Sequence, residues 1–250
     1  MDMLREMGIT VWLPREAAAA SAIEAPAEPA TEAVAAPAVE PVIEPVAEPP
    51  ARRESTVVDL EPDDAPATDR MDWGALGYAV AQCERCKLHR TRTQTVFGVG
   101  NRQADWLVIG EGPGQEEDRQ GEPFVGPAGK LLNAMLKATG RARGDVYIAN
   151  IVKCRPPENR NPHPDEMASC APYLARQIAL IRPKVILAVG KIAANNLLGT
   201  DTTLGRLRGT VHRHPQFDIP VVVTYHPAYL LRTPADKAKA WADLKLAMSL

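Results

Sequence analysis

The chain has four cysteines, placed as Cys83-x-x-Cys86 and, far downstream, as Cys154 and Cys170 with fifteen residues between them. A local pair of sulfurs joined by two from a distance is the ligand set of tetrahedral zinc or of an iron–sulfur cluster. Such a site pins three separated stretches of the backbone together, so it constrains the fold more than any other feature. Disulfides are the competing reading. Met1 to Pro14 carries Asp2, Arg5 and Glu6 and no long apolar run, so neither a signal peptide nor a membrane span is expected. The expected location is cytoplasmic, where thiols stay reduced.

Composition divides the chain. Residues 17–70 are an Ala/Pro/Glu/Val tract (APAEPATEAVAAPAVEPVIEPVAEPP within it) almost without aromatic residues. It cannot build a core, and its prolines and like charges predict a disordered, acidic tether. Residues 1–70 hold 15 of the 31 acidic and 5 of the 29 basic side chains, which leaves 16 and 24 for residues 71–250. The net charge of −2 therefore conceals an acidic extension and a basic domain, large enough for one core and suited to an anionic partner such as nucleic acid. Ahead of the tether, residues 1–16 include a short apolar island, Met3 to Pro14. It reads as a poorly ordered end or as a docking peptide for a protein partner.

Residues 71–250 alternate between two patterns. Trp106–Ile109, Val146–Ala149, Val185–Val189 and Val221–Thr224 are short β-branched runs of the kind buried on both faces of a parallel sheet. Helices are predicted over Gly129–Thr139 with Gly140 as a stop, over Pro164–Ile181, over Lys191–Leu198 ending at Gly199, and over about Ala235–Met248. The fold class is α/β, a four-stranded parallel sheet flanked by helices. Ligands of such sheets sit beyond the carboxyl ends of the strands.

Those ends carry Glu111, Asn150 and His226, which are expected to converge on one pocket rim. The Gly-rich turn Gly110 to Asp118 has neither the spacing of a dinucleotide fingerprint nor a Walker lysine, so nucleotide cofactors are disfavoured. Glu116, Glu117 and Asp118 read as a solvated helix start, with Glu117 also a capping candidate. In the apolar loop that follows, Phe124 is the single central aromatic, a residue that could serve simply as a core plug.

The segments GEGPGQEEDRQGEPFVGPAGKLL, NIVKCRPPENRNP and HPAYLLR, together with the four-cysteine pattern, closely resemble the family 4 uracil-DNA glycosylases, the iron–sulfur branch of that superfamily. The likeness runs from Cys83 to the C-terminal helix and omits the tether. The resemblance implies base-excision repair of uracil-containing DNA, with the base flipped into a pocket and its N-glycosidic bond hydrolysed. It implies a [4Fe–4S] cluster on Cys83, Cys86, Cys154 and Cys170, with Gly112, Phe124 and Asn150 as substrate-binding residues and Glu111 and His226 as catalytic ones. It also implies DNA contact through Tyr229, Leu230, Leu231 and Arg232, one of the apolar residues serving as a wedge in the helix. Arg90, Arg92, Arg155, Arg160, Arg206 and Arg208 are expected to meet phosphates. Where the better-known branch has an aspartate this chain has Gly112, so the water-orienting group is left to Glu111. The basic insertion of the covalently DNA-trapping relatives is missing after Asn150, and irreversible capture is not expected. The catalytic domain is expected to be monomeric. The competing function is a non-catalytic iron–sulfur DNA-binding module of a replication or repair complex.

Overall fold

Side-chain alternation along four strands creates two cores. The structure, a computed structural model, describes residues 68–250, and the expected apolar island and nearly all of the tether lie outside them. The strands are β1 (Val99–Gly100), β2 (Trp106–Gly110), β3 (Tyr147–Asn150), β4 (Val185–Val189), β5 (Val211–Arg213) and β6 (Pro220–Thr224). They form one sheet in the order β1-β3-β2-β4-β6-β5. The four expected strands are its parallel centre. Two short antiparallel edge strands, β1 and β5, make it six-stranded rather than four-stranded. These edges run for two and three residues and are partly exposed, so they lack the buried β-branched run that marks a central strand.

The helices are α1 (Trp73–Ala81), α2 (Gln115–Gln120), α3 (Pro127–Ala138), α4 (Pro164–Ile181), α5 (Lys191–Leu198), α6 (Leu204–Leu207), α7 (Pro227–Arg232) and α8 (Lys237–Met248). Leu107, Ile109, Ile186, Ala188, Val221 and Val223 face one core, where α1, α4 and α5 cover them. Trp106, Val108, Val185, Leu187, Val189 and Val222 face the other, beneath α3, α7 and α8. Side chains a strand residue apart thus serve opposite layers, the period-two rule of a sheet buried on both sides. The α3 sequence fits its place: Leu131, Leu132, Met135 and Leu136 make one apolar face, Pro127 opens the first turn, and Gly140 follows at φ 80°. Among the described residues no helix is long and apolar enough to cross a membrane.

Strand register positions the site. Gly110 of β2 lies beside Asn150 of β3, and Val189 of β4 beside Thr224 of β6. The carboxyl ends of β2, β3 and β6 therefore open on the same side of the sheet.

Candidate active site

Glu111, Gly112, Phe124, Asn150, His226, Tyr229 and Arg232 line one cleft of about 510 Å³ at those strand ends, a size ordinary for a small-ligand site. Gly110, the last residue of β2, packs against two of these side chains. A Cβ there would stand 2.5 Å from Asn150 Oδ1 and 2.6 Å from Phe124 Cζ, so only glycine lets the amide and the ring approach the strand end together. Sequence reasoning passed over Gly110, although a glycine closing the run Trp-Leu-Val-Ile is the signal that could have found it.

Asn150 is 2 % exposed. Among the described residues its Oδ1 has no hydrogen-bond partner, while its backbone carbonyl accepts from the buried Lys153 ammonium at 2.9 Å. An orphaned acceptor in a protein interior costs about 1–3 kcal/mol, which is tolerated where a ligand supplies the missing donor.

Phe124 is buried yet has φ 55°, a conformation worth of order 1–3 kcal/mol of strain for a bulky residue. The close passage of its backbone requires glycine at position 129, where a Cβ would fall 1.8 Å from Phe124 O. Its ring lies 5.6 Å from that of His226, tilted by 30°. Phe124 packs in the second core and also lines the cleft.

His226 caps the N-terminus of α7, its Nδ1 accepting from the Ala228 amide at 3.1 Å. That bond puts the ring proton of the neutral imidazole on Nε2. Burial, with the nearby Arg232 charge, lowers the pKa to about 4, so the ring is neutral at pH 7. Burial also raises the Glu111 carboxyl above its ordinary range.

Glu117 is a brace rather than a solvated side chain. Its Oε2 accepts from Gly114 N at 3.2 Å, and its Oε1 from Val125 N at 2.9 Å and Gly126 N at 3.1 Å. Asp118, 3 % exposed, accepts from Thr93 N with both oxygens. Only Glu116 of the three meets the expectation of a solvated carboxylate, paired with Arg119 on the surface.

The HPAYLLR segment forms the short helix α7, which divides its residues. Leu231 is 45 % exposed, whereas Leu230 is 0 % exposed and packs in the second core, so Leu230 is withdrawn from the expected DNA contacts. Tyr229 stacks on Tyr225 at 4.8 Å and donates its hydroxyl to Asp236 at 2.6 Å. Three of the expected phosphate arginines are engaged by other groups of the protein, although Arg160 still lines the cleft. Arg92 donates to Cys83 O and Cys154 Sγ, Arg160 grips the buried Glu166 with two nitrogens, and Arg208 pairs with the buried Asp243 at 2.7 Å. Charge alone gives no warning of this, because an arginine that neutralises a buried carboxylate looks in sequence like one that faces DNA.

Cys83, Cys86, Cys154 and Cys170 line a second cavity, together with Val80, Leu88 and Tyr173. Two N–H groups point at its sulfurs: Arg92 Nη1 to Cys154 Sγ at 3.1 Å and Lys153 N to Cys170 Sγ at 3.3 Å. Burial raises the pKa of Cys86 and Cys154 and carries Cys170 up to about 12, so these three thiols stay protonated unless a cationic centre takes them as thiolates. Soft ligands, an apolar enclosure and N–H···S donors fit a group held by thiolates. Among the described residues no three ligating side chains gather around a single-ion position.

A family model described as the Uracil DNA glycosylase superfamily matches residues 97–245. A type-4 uracil-DNA glycosylase of Archaeoglobus fulgidus is 45 % identical over 172 residues, 66 % of this chain and 86 % of that protein. One from Thermotoga maritima is 43 % identical over 164 residues, 64 % of this chain and 83 % of the relative. A DNA polymerase of Bacillus phage SP01 is 31 % identical over 155 residues, 61 % of this chain but 16 % of the polymerase. The matched span contains the strand ends, the cleft and two of the four cysteines, and by this agreement of sequence and site the chain belongs to the uracil-DNA glycosylase superfamily, in its type-4 branch.

Proposed function

We propose that this protein is a base-excision repair enzyme that hydrolyses the N-glycosidic bond of uracil in DNA and leaves an abasic site. The observation that carries the reading is the buried, unpartnered Oδ1 of Asn150 in a cleft shared with Phe124 and His226. A base inside a duplex is out of reach, so the uracil is extruded into the cleft, where an aromatic face replaces the lost stacking. Phe124 supplies that face. Asn150 accepts from uracil N3–H and donates to a carbonyl. Cytosine presents an acceptor at N3 and an amino group at C4, which inverts the match and strands buried polar groups at a cost of about 1–3 kcal/mol each.

As the bond between C1′ and N1 breaks, its electron pair moves onto the base and charge collects at O2. The Nε2–H of a neutral His226 donates to that oxygen, a contact that strengthens in the transition state. Cleavage of this dissociative kind needs little base strength from the protein. Glu111 balances the sugar cation and orients the water that adds to C1′, and the proton that this water sheds passes through solvent to the uracil anion, which leaves as the neutral base. Arg232, Leu231 and Tyr229 line the route of the strand. The four cysteines would hold a [4Fe–4S] cluster, which would supply a covalent tie between segments distant in sequence. Residues 71–250 form the catalytic unit, and an intracellular location follows from its substrate. The competing reading, a non-catalytic module of a replication complex, draws only on the likeness to part of a phage DNA polymerase.

Release of uracil from single-stranded and double-stranded oligonucleotides tests the proposal, with a cytosine oligonucleotide as control. The parental protein should release uracil alone. Asn150→Asp should slow uracil release and narrow the preference over cytosine. Absence of any base release under saturating enzyme would leave the non-catalytic module standing.

A further inference from the structure

Phe124 sits in a backbone conformation that its own side chain disfavours, so its surroundings must hold it there. One support is Glu117, which takes the amides of Val125 and Gly126. The other is Arg143, a residue that does not line the cleft. Its Nη2 donates to Pro123 O at 2.5 Å, and its Nη1 to Phe124 O at 3.2 Å and to Asn133 Oδ1 at 3.3 Å. The two successive carbonyls flanking the strained residue are thus held by one planar fork, a geometry that a lysine ammonium cannot reproduce. Arg143 begins the 3-10 turn Arg143–Asp145, one residue short of β3, the strand that ends in Asn150. The aromatic face and the amide of the cleft therefore share an anchor. Asn133 ties the same guanidinium to α3, the helix whose first turn carries Gly129 against the Phe124 carbonyl.

We propose that Arg143 is a positioning residue for base excision: by holding the carbonyls of Pro123 and Phe124, it sets the plane of the ring on which the extruded uracil stacks. This rests on the reading of the cleft as a uracil site. Arg143 touches no substrate, and its effect passes entirely through Phe124. A ring left to relax toward an ordinary backbone conformation would swing from the cleft, and small misplacements of a positioning surface carry large rate penalties.

The test is a double-mutant cycle in the full-length protein. Arg143→Met and Arg143→Lys are made alone and with Phe124→Leu, then compared by single-turnover excision from a uracil-containing oligonucleotide, by binding to the undamaged oligonucleotide, and by melting temperature. Arg143→Met should slow excision about 10- to 100-fold while undamaged DNA is bound within about twofold of the parent, and Arg143→Lys should recover part of the rate. In the Phe124→Leu background, Arg143→Met should slow excision by no more than about twofold, because the ring that it positions is gone. Excision at the parental rate by Arg143→Met, or an equal loss in both backgrounds, overturns the proposal, since a merely structural arginine acts without regard to residue 124. If Arg143→Met does not accumulate as folded protein, the cycle of Arg143→Lys with Phe124→Leu decides by the same criterion. A parental protein that releases no uracil refutes the glycosylase reading along with this one, whereas an active parent with additive losses refutes the positioning role alone.

Discussion

His226 carries its ring proton on Nε2 because two constraints agree: the Ala228 amide occupies Nδ1, and burial opposes a second proton. Its folded-state pKa of about 4 lies below the ordinary 6.5, so unfolded chains bind a proton in the interval where folded ones do not. The associated stability is complete above pH 6.5 and is lost as pH falls toward 4. Denaturant midpoints at several pH values should show this slope in the parent and less of it in His226→Ala. The same substitution should slow single-turnover excision by about 10² or more, the size of one lost oxyanion donor, with DNA binding retained. The parental rate should show no inflection near pH 6.5 from this ring; an inflection there that disappears in His226→Ala would mean that the cationic form acts instead. Asn150 and His226 were legible in sequence as polar groups after buried strands, but the tautomer was not, because it is set by a backbone amide that only the turn into α7 brings to the ring.

Among the elements, α3 does more than cover the sheet. Its first turn lies so close to the Phe124 carbonyl that Gly129 has no room for a side chain. Gly129→Ala should therefore cost about 1–3 kcal/mol in denaturant unfolding, as overpacking does, and should slow excision through the displaced loop; unchanged stability with full activity would show that the loop relaxes freely. The periodicity of α3, α4 and α5 made them readable from their apolar faces. Helix α1 was not readable, since Trp-Gly-Ala-Leu-Gly-Tyr-Ala-Val-Ala has two glycines and no polar face. No helix was expected over Pro227–Arg232, and the helical turn of α7 is what carries Leu230 inward while leaving Leu231 outside.

For the whole molecule, the four cysteines draw together the turn after α1, the loop after β3 and the middle of α4. Protein purified without oxygen should contain iron and acid-labile sulfide, and stripping them should raise hydrogen exchange around Cys83 to Arg92 and Cys154 while the central strands stay protected. Zinc without sulfide in such a preparation would remove the cluster from this protein. By itself the sequence determined the α/β class, the four central strands, the spacing of the four cysteines and the polar strand ends, because hydrophobic period and rare residue types are local properties of a chain. Tertiary structure alone decided which arginines neutralise Glu166 and Asp243. It decided that Asp118 is an internal brace, that Glu117, besides the helix cap the sequence offered, holds the Phe124 loop, and that Arg143 reaches back some twenty residues to that loop. Each of these depends on what stands opposite a side chain in space, and a charged residue has the same one-letter identity whether its partner is water, a phosphate or a buried backbone carbonyl.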